Sequence, residues 1–310
     1  MQSSKLRGIL SMIAAVAAFA VMDVTMKRLV ETYPPMQVTF LRATASLPFL
    51  LLATALFSRW RDLIPRRLGL HVLRGMLGVG TLWLFVYAVR FLSLADAYTI
   101  YMSAPLLITA LSVPMLGEHV GWRRWLAIVI GLIGVIVVLK PSGTGLITIG
   151  GAAALASAVG YTLSAITIKI LSRTDSGTAT IFWALLFVAL FSGIFTAFDW
   201  TPLQWQHWYL IAGVGLFGAI GQHCITYAFR LASPAIVAPI EYTALMWGML
   251  FDWLLWLTLP NARMLVGASI IVASGLYIIY RERAQEAKIP PGGETEIGSG
   301  SPRRARGNTR

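Results

Sequence analysis

The chain has few charged residues and almost no cysteine. Only 12% of its 310 residues are charged, whereas soluble domains usually carry about a quarter. An ordinary soluble fold is therefore excluded, and the 57% share of hydrophobic residues points to a membrane protein. Because Cys224 is the only cysteine, no intramolecular disulfide can form, and we expect this side chain to pack inside a helix.

Signatures of enzymes and metal sites are missing as well. The sequence contains neither the HExxH pattern of zinc proteases nor the GxxxxGKS/T loop that holds phosphates. Its four histidines are scattered along the chain, at positions 71, 119, 207 and 223. We therefore expect no enzyme activity and no metal site.

Apolar runs of about 20 residues, by contrast, recur along the whole chain. This is the length with which a helix crosses a hydrocarbon core about 30 Å thick. The runs lack the period-2 alternation of a membrane β-barrel, so the predicted fold is an all-α polytopic membrane protein. We predict ten transmembrane helices, at residues 9–30, 36–57, 71–92, 97–116, 123–140, 147–171, 177–198, 207–230, 234–256 and 262–281.

The basic residues predict how the helices are oriented. With the N-terminus inside, nineteen of the 25 Lys and Arg residues fall on the cytoplasmic side, as expected for a protein of the inner (plasma) membrane. Both termini are therefore predicted to be cytoplasmic. This distribution explains the formal net charge of +12, and we expect no nucleic-acid partner.

Short stretches of the first half recur in the second half. DVTMKRL at 23–29 matches AITIKIL at 165–171, and YAVR at 87–90 matches YAFR at 227–230. The other interpretation of the first segment is a cleaved signal peptide, because basic residues and the small residues AVAAFA are present. Cleavage would remove part of the first copy, so the repeat argues against it.

The repeat divides the chain into three parts. We predict two five-helix repeats, 1–143 and 144–282, and a disordered cytoplasmic tail, 283–310, which is rich in Gly, Pro and charge. Because five is an odd number, the second repeat enters the membrane with opposite polarity. Inverted repeats of this kind recur in secondary transporters, whose substrate site lies near the membrane midplane between the repeats.

Four longer stretches resemble a known family. They are RFLSLADA at 90–97, PLLITALSVPMLGEHVGWRRW at 105–125, AFRLASPAIVAPIEYTALMW at 228–247 and GASIIVASGLYIIYRER at 267–283. They resemble the ten-helix EamA-type branch of the drug/metabolite transporter superfamily, over both halves. The resemblance implies a secondary transporter of small metabolites without a bound cofactor. Related members export amino acids, and others carry S-adenosylmethionine, flavins or nucleobases.

One departure from the repeat is visible. The first half reads LGE at 116–118, whereas the matching place in the second half is predicted to read LLW at 254–256. Whatever Glu118 does is therefore not duplicated.

Ionisable residues inside the predicted membrane segments are the first candidates for a functional site, because a charge in hydrocarbon is costly. Asp23 and Arg42 are expected to share a depth, and the favoured interpretation is a structural ion pair of Asp23 with Arg42 or Lys27. The alternative is a role of Asp23 and Arg42 in binding substrate or protons. Glu241 is expected to line a cavity or form a structural hydrogen bond. We expect Asp252 to be solvated and Lys27 to reach water as an anchor.

Aromatic and polar side chains form a second set of candidates. An apolar cavity with aromatic walls and a few polar groups suits an amphipathic metabolite, and interfacial belts or packing against lipid are the alternative. This set comprises Trp83, Tyr87, Tyr98, Tyr101, Gln222, His223, Tyr227, Tyr242 and Trp247. Prolines can kink helices and glycines form small helix faces, which makes hinge candidates of Pro105, Pro239, Gly78 and Gly218.

The predicted function is secondary-active export of amino acids or similar small metabolites across the inner membrane by alternating access. The expected partners are the small-molecule substrate and the lipid bilayer, with protons as a further candidate, and the oligomeric state stays open. One alternative is an uptake carrier for S-adenosylmethionine, a nucleobase or a flavin-like metabolite. The alternatives from another class are a non-transporting membrane scaffold and an intramembrane enzyme.

Overall fold

The computed structural model describes residues 2–57, 60–117, 120–139, 148–171, 173–231 and 238–286. All regular elements in these ranges are helical. The α-helices are α1 (Gln2–Leu29), α2 (Pro35–Phe57), α3 (Leu68–Phe91), α4 (Leu94–Tyr101), α5 (Ala104–Leu116), α6 (Trp122–Leu139), α7 (Ile149–Leu171), α8 (Gly177–Thr196), α9 (Trp208–Leu231), α10 (Ala244–Trp256) and α11 (Ala262–Glu286). Short 3-10 helices lie at Trp60–Leu63, Trp205–His207 and Ala238–Thr243.

The helices coincide with the predicted membrane segments. Nine stretches of the described ranges are helical, long and apolar enough to cross a membrane, and each falls on a predicted segment. The remaining predicted segment, 234–256, begins outside the described residues and continues as the 3-10 helix Ala238–Thr243 and α10. The all-α polytopic fold is thereby confirmed, whereas the cytoplasmic location of the termini stays a prediction.

The end of the chain differs from the prediction in part. α11 runs to Glu286, so the last helix continues past residue 283, where the tail was predicted to begin. Residues 287–310 of the predicted tail, and Glu118 of the LGE motif, lie outside the described residues.

The fourth membrane segment is broken. α4 ends at Tyr101 and α5 begins at Ala104. Pro105 lies in the first turn of α5, where the missing N–H costs no helical hydrogen bond. Pro239 lies in the 3-10 helix that precedes α10 in the ninth segment. Corresponding segments of the two halves therefore both depart from a continuous α-helix at the predicted prolines, whose role as hinges stays a prediction.

The pairing of helices reflects the internal repeat. α1 packs against α9 as α3 packs against α7, and α2 packs against α9 as α3 packs against α8. The pairs α2 with α8 and α6 with α11 also form. When α1, α2, α3 and α6 are exchanged with α7, α8, α9 and α11, each pairing maps onto another pairing or onto itself. This is the pattern of two repeats related by a pseudo-twofold axis.

Two helix ends refine the alignment of the halves. α5 and α10 each contain 13 residues and end at a residue in the left-handed conformation, Gly117 with φ 70° and Leu257 with φ 53°. These positions are 140 residues apart, as are YAVR and YAFR. The predicted match of 116–118 with 254–256 is therefore shifted by two residues.

Glycines let the helices approach closely at matching places. An added Cβ on Gly215 of α9 would lie 2.3 Å from the carbonyl oxygen of Ala45 in α2. On Gly78 of α3 it would lie 2.9 Å from Val188 Cγ2 of α8. Gly218 faces α1 and α2, in contact range of Met22 and Ser46. The predicted small faces are therefore helix contacts, and the hinge role of Gly78 and Gly218 stays a prediction.

Candidate functional site

A cavity of about 260 Å³ lies between helices of both repeats. Its walls are formed by α1, α2 and α3 of the first repeat and by α8 and α9 of the second. On α2 the lining runs from Arg42 to Thr54, and twelve residues of α-helix are about 18 Å long. The cavity is therefore an elongated slot at the junction of the repeats.

The cavity approaches one end of the bundle only. We call the end formed by the last turn of α1 and the start of α2 the Lys27 end, and the end formed by the starts of α3 and α8 the Arg74 end. The lining includes Thr178, the second residue of α8, and so reaches the Arg74 end. Towards the Lys27 end it stops at Arg42, about 10 Å along α2 from Pro35.

The charged side chains that line the cavity are both cationic. They are Arg42 and Arg74, and the described lining contains no Asp or Glu. The polar members of the lining are Ser46, Thr54, Thr178, Gln222, His223 and Tyr227. Most of the other lining residues are apolar, so the cavity combines positive charge with apolar walls.

Five of the residues predicted from the sequence are brought together here. Arg42, Gly218, Gln222, His223 and Tyr227 all line the cavity, although they come from the second and eighth membrane segments. Gln222 and His223 were predicted because polar side chains avoid lipid, and Arg42 because a charge in hydrocarbon is costly. Tyr227 was predicted as an aromatic wall residue and Gly218 as a hinge candidate.

Asp23 lies behind the cavity wall. It is 8% exposed and accepts a hydrogen bond of 2.7 Å from the hydroxyl of Tyr98, which is buried beside it. Its neighbour Met22 lines the cavity. Arg42 interacts with Asp23 electrostatically, but their pair is not among the ion pairs of 4.0 Å or less in the described part of the chain.

The partner of Lys27 is Asp252 rather than Asp23. The Nζ atom of Lys27 lies 3.1 Å from Oδ1 of Asp252. The same carboxylate accepts hydrogen bonds from the backbone N–H groups of Leu94, at 3.0 Å, and Ala95, at 2.8 Å. These residues begin α4, where N–H groups lack helical partners and the helix dipole favours an anion. Asp252 thus joins α1, α4 and α10 at one point.

Two expectations from the sequence are therefore wrong. Asp252 is not solvated but 1% exposed, and Lys27 is not a free anchor, since its side chain is only 12% exposed and its Nζ atom pairs with Asp252 and lies 4.3 Å from the ring centre of Trp256. The physical reason is that a helix start from elsewhere in the chain supplies donors for the carboxylate, and distance from the end of its own helix does not reveal them.

Further hydrogen bonds between the repeats close the Lys27 end. The side-chain amide of Gln37 donates to the carbonyl oxygen of Thr201 at 2.7 Å and accepts from its N–H at 3.0 Å. The Tyr33 hydroxyl accepts from the N–H of Gln204 at 3.0 Å and shares a hydrogen bond of 2.9 Å with Nδ1 of His207. Each contact joins the start of α2 or the loop before it to the loop between α8 and α9.

Glu241, Tyr242 and Tyr101 lie outside the described lining of the cavity. Half-buried Glu241 interacts electrostatically with Tyr101 and Tyr161, whose ring centres are 5.2 Å apart. Tyr242 is buried and packs against Gly275 of α11. The structure therefore places these candidates in the packing around the cavity.

The remaining aromatic candidates also lie away from the cavity lining. Trp83 is 39% exposed, and its ring centre is 6.1 Å from that of Tyr87, which also contacts Phe91 at 5.1 Å. Trp247 is stacked on Phe251 at 6.2 Å. For Trp83 the geometry matches the alternative of a residue at the lipid-facing surface.

Arg74 is a cavity residue that the sequence analysis missed. It was counted among the basic residues of the cytoplasmic side, although it lies within the predicted segment 71–92. Its guanidinium Nη1 donates to the carbonyl oxygen of Thr180 in α8. The available signal was its position inside an apolar run, which is the criterion that had selected Arg42.

A polar cluster beside the cavity leads to a prediction of pH dependence. Asp175 accepts hydrogen bonds from Nε2 of His71 at 3.2 Å, the N–H of Arg66 at 2.6 Å and the hydroxyl of Thr174 at 2.6 Å. Burial opposes ionisation, but these bonds outweigh it and lower the pKa of Asp175 to about 2. Since an unfolded Asp has a pKa of about 3.9, the carboxylate stabilises the fold above about pH 4 and loses this effect as the pH falls towards 2.

Asp175→Asn should remove this dependence. As the pH is lowered from about 5 to about 3, the melting temperature of the detergent-solubilised wild-type protein should fall more steeply than that of the variant. Equal slopes for the two proteins would contradict the role assigned to the carboxylate.

The architecture defines the class of protein. A helical membrane bundle of two related repeats, with a cavity between them that approaches one end, is the arrangement of secondary transporters. Residues 6–140 and 148–281 each match the EamA-like transporter family, and the chain belongs to this family. It is a multi-pass protein of the inner membrane, a transporter of small molecules and not an enzyme.

Two named relatives differ in the substrate they carry. The chain is 30% identical to the riboflavin transporter of Vibrio cholerae over 229 residues, 72% of this chain and 75% of the relative. It is 26% identical to the pseudopaline exporter CntI of Pseudomonas aeruginosa over 270 residues, 86% of this chain and 94% of the relative. A crystal structure with 18% identity superposes with a TM-score of 0.61 over 93% of this chain and 99% of the other, which supports the fold alone.

Proposed function

We propose that the protein exports amino acids or similar small metabolites by alternating access between its two five-helix repeats. The observation that carries the proposal is the cavity, which both repeats line and which reaches the Arg74 end but not the Lys27 end. A solute can enter such a cavity from one side while the contacts at the Lys27 end exclude passage. When the Arg74 end closes and the Lys27 end opens, the solute is released on the other side of the membrane.

The predicted orientation supports loading from the cytoplasm. The positive-inside distribution predicts that the Arg74 end lies inside and the Lys27 end outside, and with this orientation the cavity opens inwards. Opening outwards requires the loss of the Lys27–Asp252 ion pair and of the hydrogen bonds at Tyr33 and Gln37. The same two states also serve uptake, and the likeness to a riboflavin transporter favours a flavin-like metabolite as the second candidate substrate.

Counterflow in proteoliposomes tests the proposal. With the purified protein reconstituted and unlabelled amino acids loaded inside, labelled amino acids should enter faster than into vesicles without the internal load. The flux should saturate, because each carrier molecule handles one substrate per cycle. Counterflow of riboflavin but of no amino acid would replace the amino-acid proposal by the flavin alternative. An absence of counterflow with both classes would overturn both substrate assignments and leave S-adenosylmethionine or a nucleobase as the next candidates.

Proton coupling is tested with the same vesicles. If Asp23 or Glu241 carries a coupled proton, Asp23→Asn or Glu241→Gln should abolish the response of flux to a pH gradient while counterflow at equal pH persists. A full response to the gradient in both variants would exclude both carboxylates as the coupling groups.

A further inference from the structure

We propose that the cavity binds the carboxylate of a substrate with an apolar body, with Arg42 as the group that holds it at the closed end. This inference rests on the proposed function, since the bound molecule is the transported solute. It specifies in addition that the solute carries a carboxylate. The first observation is the positive charge of the cavity lining. Both of its charged residues, Arg42 and Arg74, are cationic, and the described lining has no acidic residue. Cations in a cavity walled by apolar side chains are costly unless an anion joins them.

Arg42 lines the cavity and has no close ion-pair partner among the described residues. The acid with which it interacts electrostatically, Asp23, accepts the Tyr98 hydroxyl and forms no ion pair of 4.0 Å or less with Arg42 in the described structure. Arginine offers a planar fork of N–H donors that matches a carboxylate with two parallel hydrogen bonds. A carboxylate at the end of the slot can therefore pair with Arg42 from the cavity side.

Nearby Asp23 also limits the charge of the ligand. Its electrostatic interaction with Arg42 reduces the positive charge that the closed end presents. A singly charged carboxylate suits this balance better than a phosphate, which carries close to two negative charges near neutral pH.

Arg74 gives the open side of the cavity a positive charge, as Arg42 does at the closed side. One of its donors is used by the carbonyl oxygen of Thr180, and its Nε is buried without a hydrogen-bond partner among the described residues. A positive group at the entrance of a slot raises the local concentration of anions. Arg74 therefore attracts the carboxylate on entry, and Arg42 receives it.

The walls between the two arginines determine the rest of the ligand. Apolar side chains from three helices face this part of the slot, namely Phe19, Met22, Phe49, Leu50, Ile181 and Leu185. They suit an aliphatic or aromatic body. The ligand class is therefore an amphipathic monocarboxylate rather than a sugar or a polyamine.

Matched probes that differ only in charge test this inference without any transport step. Indole-3-acetate and phenylacetate should raise the melting temperature of the detergent-purified protein, whereas indole-3-acetamide and phenylacetamide should not. Arg42→Gln should bind the two carboxylates about 10- to 100-fold more weakly, the cost of a hydrogen bond to a charged group. Arg42→Lys keeps the positive charge but not the planar fork of N–H donors, so its affinity for the carboxylates should lie between those of wild type and Arg42→Gln. Arg90→Gln, an exposed position on α3 outside the cavity, is the matched control and should bind as wild type.

The possible results separate this inference from the proposed function. Equal shifts with acid and amide in both pairs, or wild-type binding by Arg42→Gln, would overturn the carboxylate site. Tighter binding of phenyl phosphate than of phenylacetate would reassign the site to phosphate. Carboxylate binding that depends on Arg42, combined with an absence of counterflow, would preserve the site and overturn transport. If Arg42→Gln does not fold, Arg74→Gln supplies the second variant, with a reduced association rate for the carboxylates as its expected effect.

Discussion

Asp252→Ala is expected to lower the free energy of unfolding by about 3–5 kcal/mol. The substitution leaves the ammonium group of Lys27 without its partner at a side-chain exposure of 12%. It also removes the acceptor for the N–H groups of Leu94 and Ala95 at the start of α4. Thermal and denaturant unfolding of the detergent-solubilised protein, followed by tryptophan fluorescence, measure the loss.

A second substitution separates the ion pair from the contact with α4. Lys27→Met in the Asp252→Ala background removes the unpaired charge, so the double variant should be more stable than Asp252→Ala alone. It should still be less stable than wild type, because the α4 N–H groups lack their acceptor. Wild-type stability of Asp252→Ala would contradict the description of this carboxylate as the junction of three helices.

Gly215→Ala is expected to cost about 1–3 kcal/mol of unfolding free energy, as overpacking does in a tight interface. The new Cβ would lie 2.3 Å from the carbonyl oxygen and 2.7 Å from the carbonyl carbon of Ala45. These are backbone atoms that cannot rotate away, so α9 and α2 must separate. Because both helices line the cavity, counterflow should fall as well.

Gly80→Ala is the matched control for this prediction. Gly80 also lies in a membrane helix, and a Cβ there meets nothing within 4 Å. Alanine favours a helix over glycine by up to about 1 kcal/mol, so this variant should be as stable as wild type or slightly more stable. A similar loss in both variants would indicate that the close approach at Gly215 is not the cause.

The sequence predicts the helices well because a physical length governs them. Runs of about 20 apolar residues follow from the thickness of the bilayer. The repeat is predicted because short stretches of the first half still match the second half residue by residue. The break at Tyr101–Ala104 was signalled only by Pro105. A proline marks where an N–H is missing, but it does not tell whether the helix kinks or stops.

The site is less accessible to such reasoning, because its charges find partners far along the chain. Lys27 is four residues from Asp23, yet it pairs with Asp252, 225 residues away. No periodicity of one helix reveals a backbone N–H at the start of another. Arg42 was selected because it lies six residues past the start of its predicted segment, 36–57, whereas Arg74 lies only three residues past the start of 71–92 and resembles a topogenic charge.

The position of the first repeat that matches Asp252 carries no carboxylate, and under the proposed alternating access this has a kinetic consequence. The position 140 residues before Asp252 is Ser112, a neutral side chain. In the proposed cycle the two reorientations break different contacts, and we expect the one that breaks the Lys27–Asp252 ion pair to be the slower step. Such a carrier shows different half-saturation concentrations on its two sides, although the solute gradients alone set the direction of net flux.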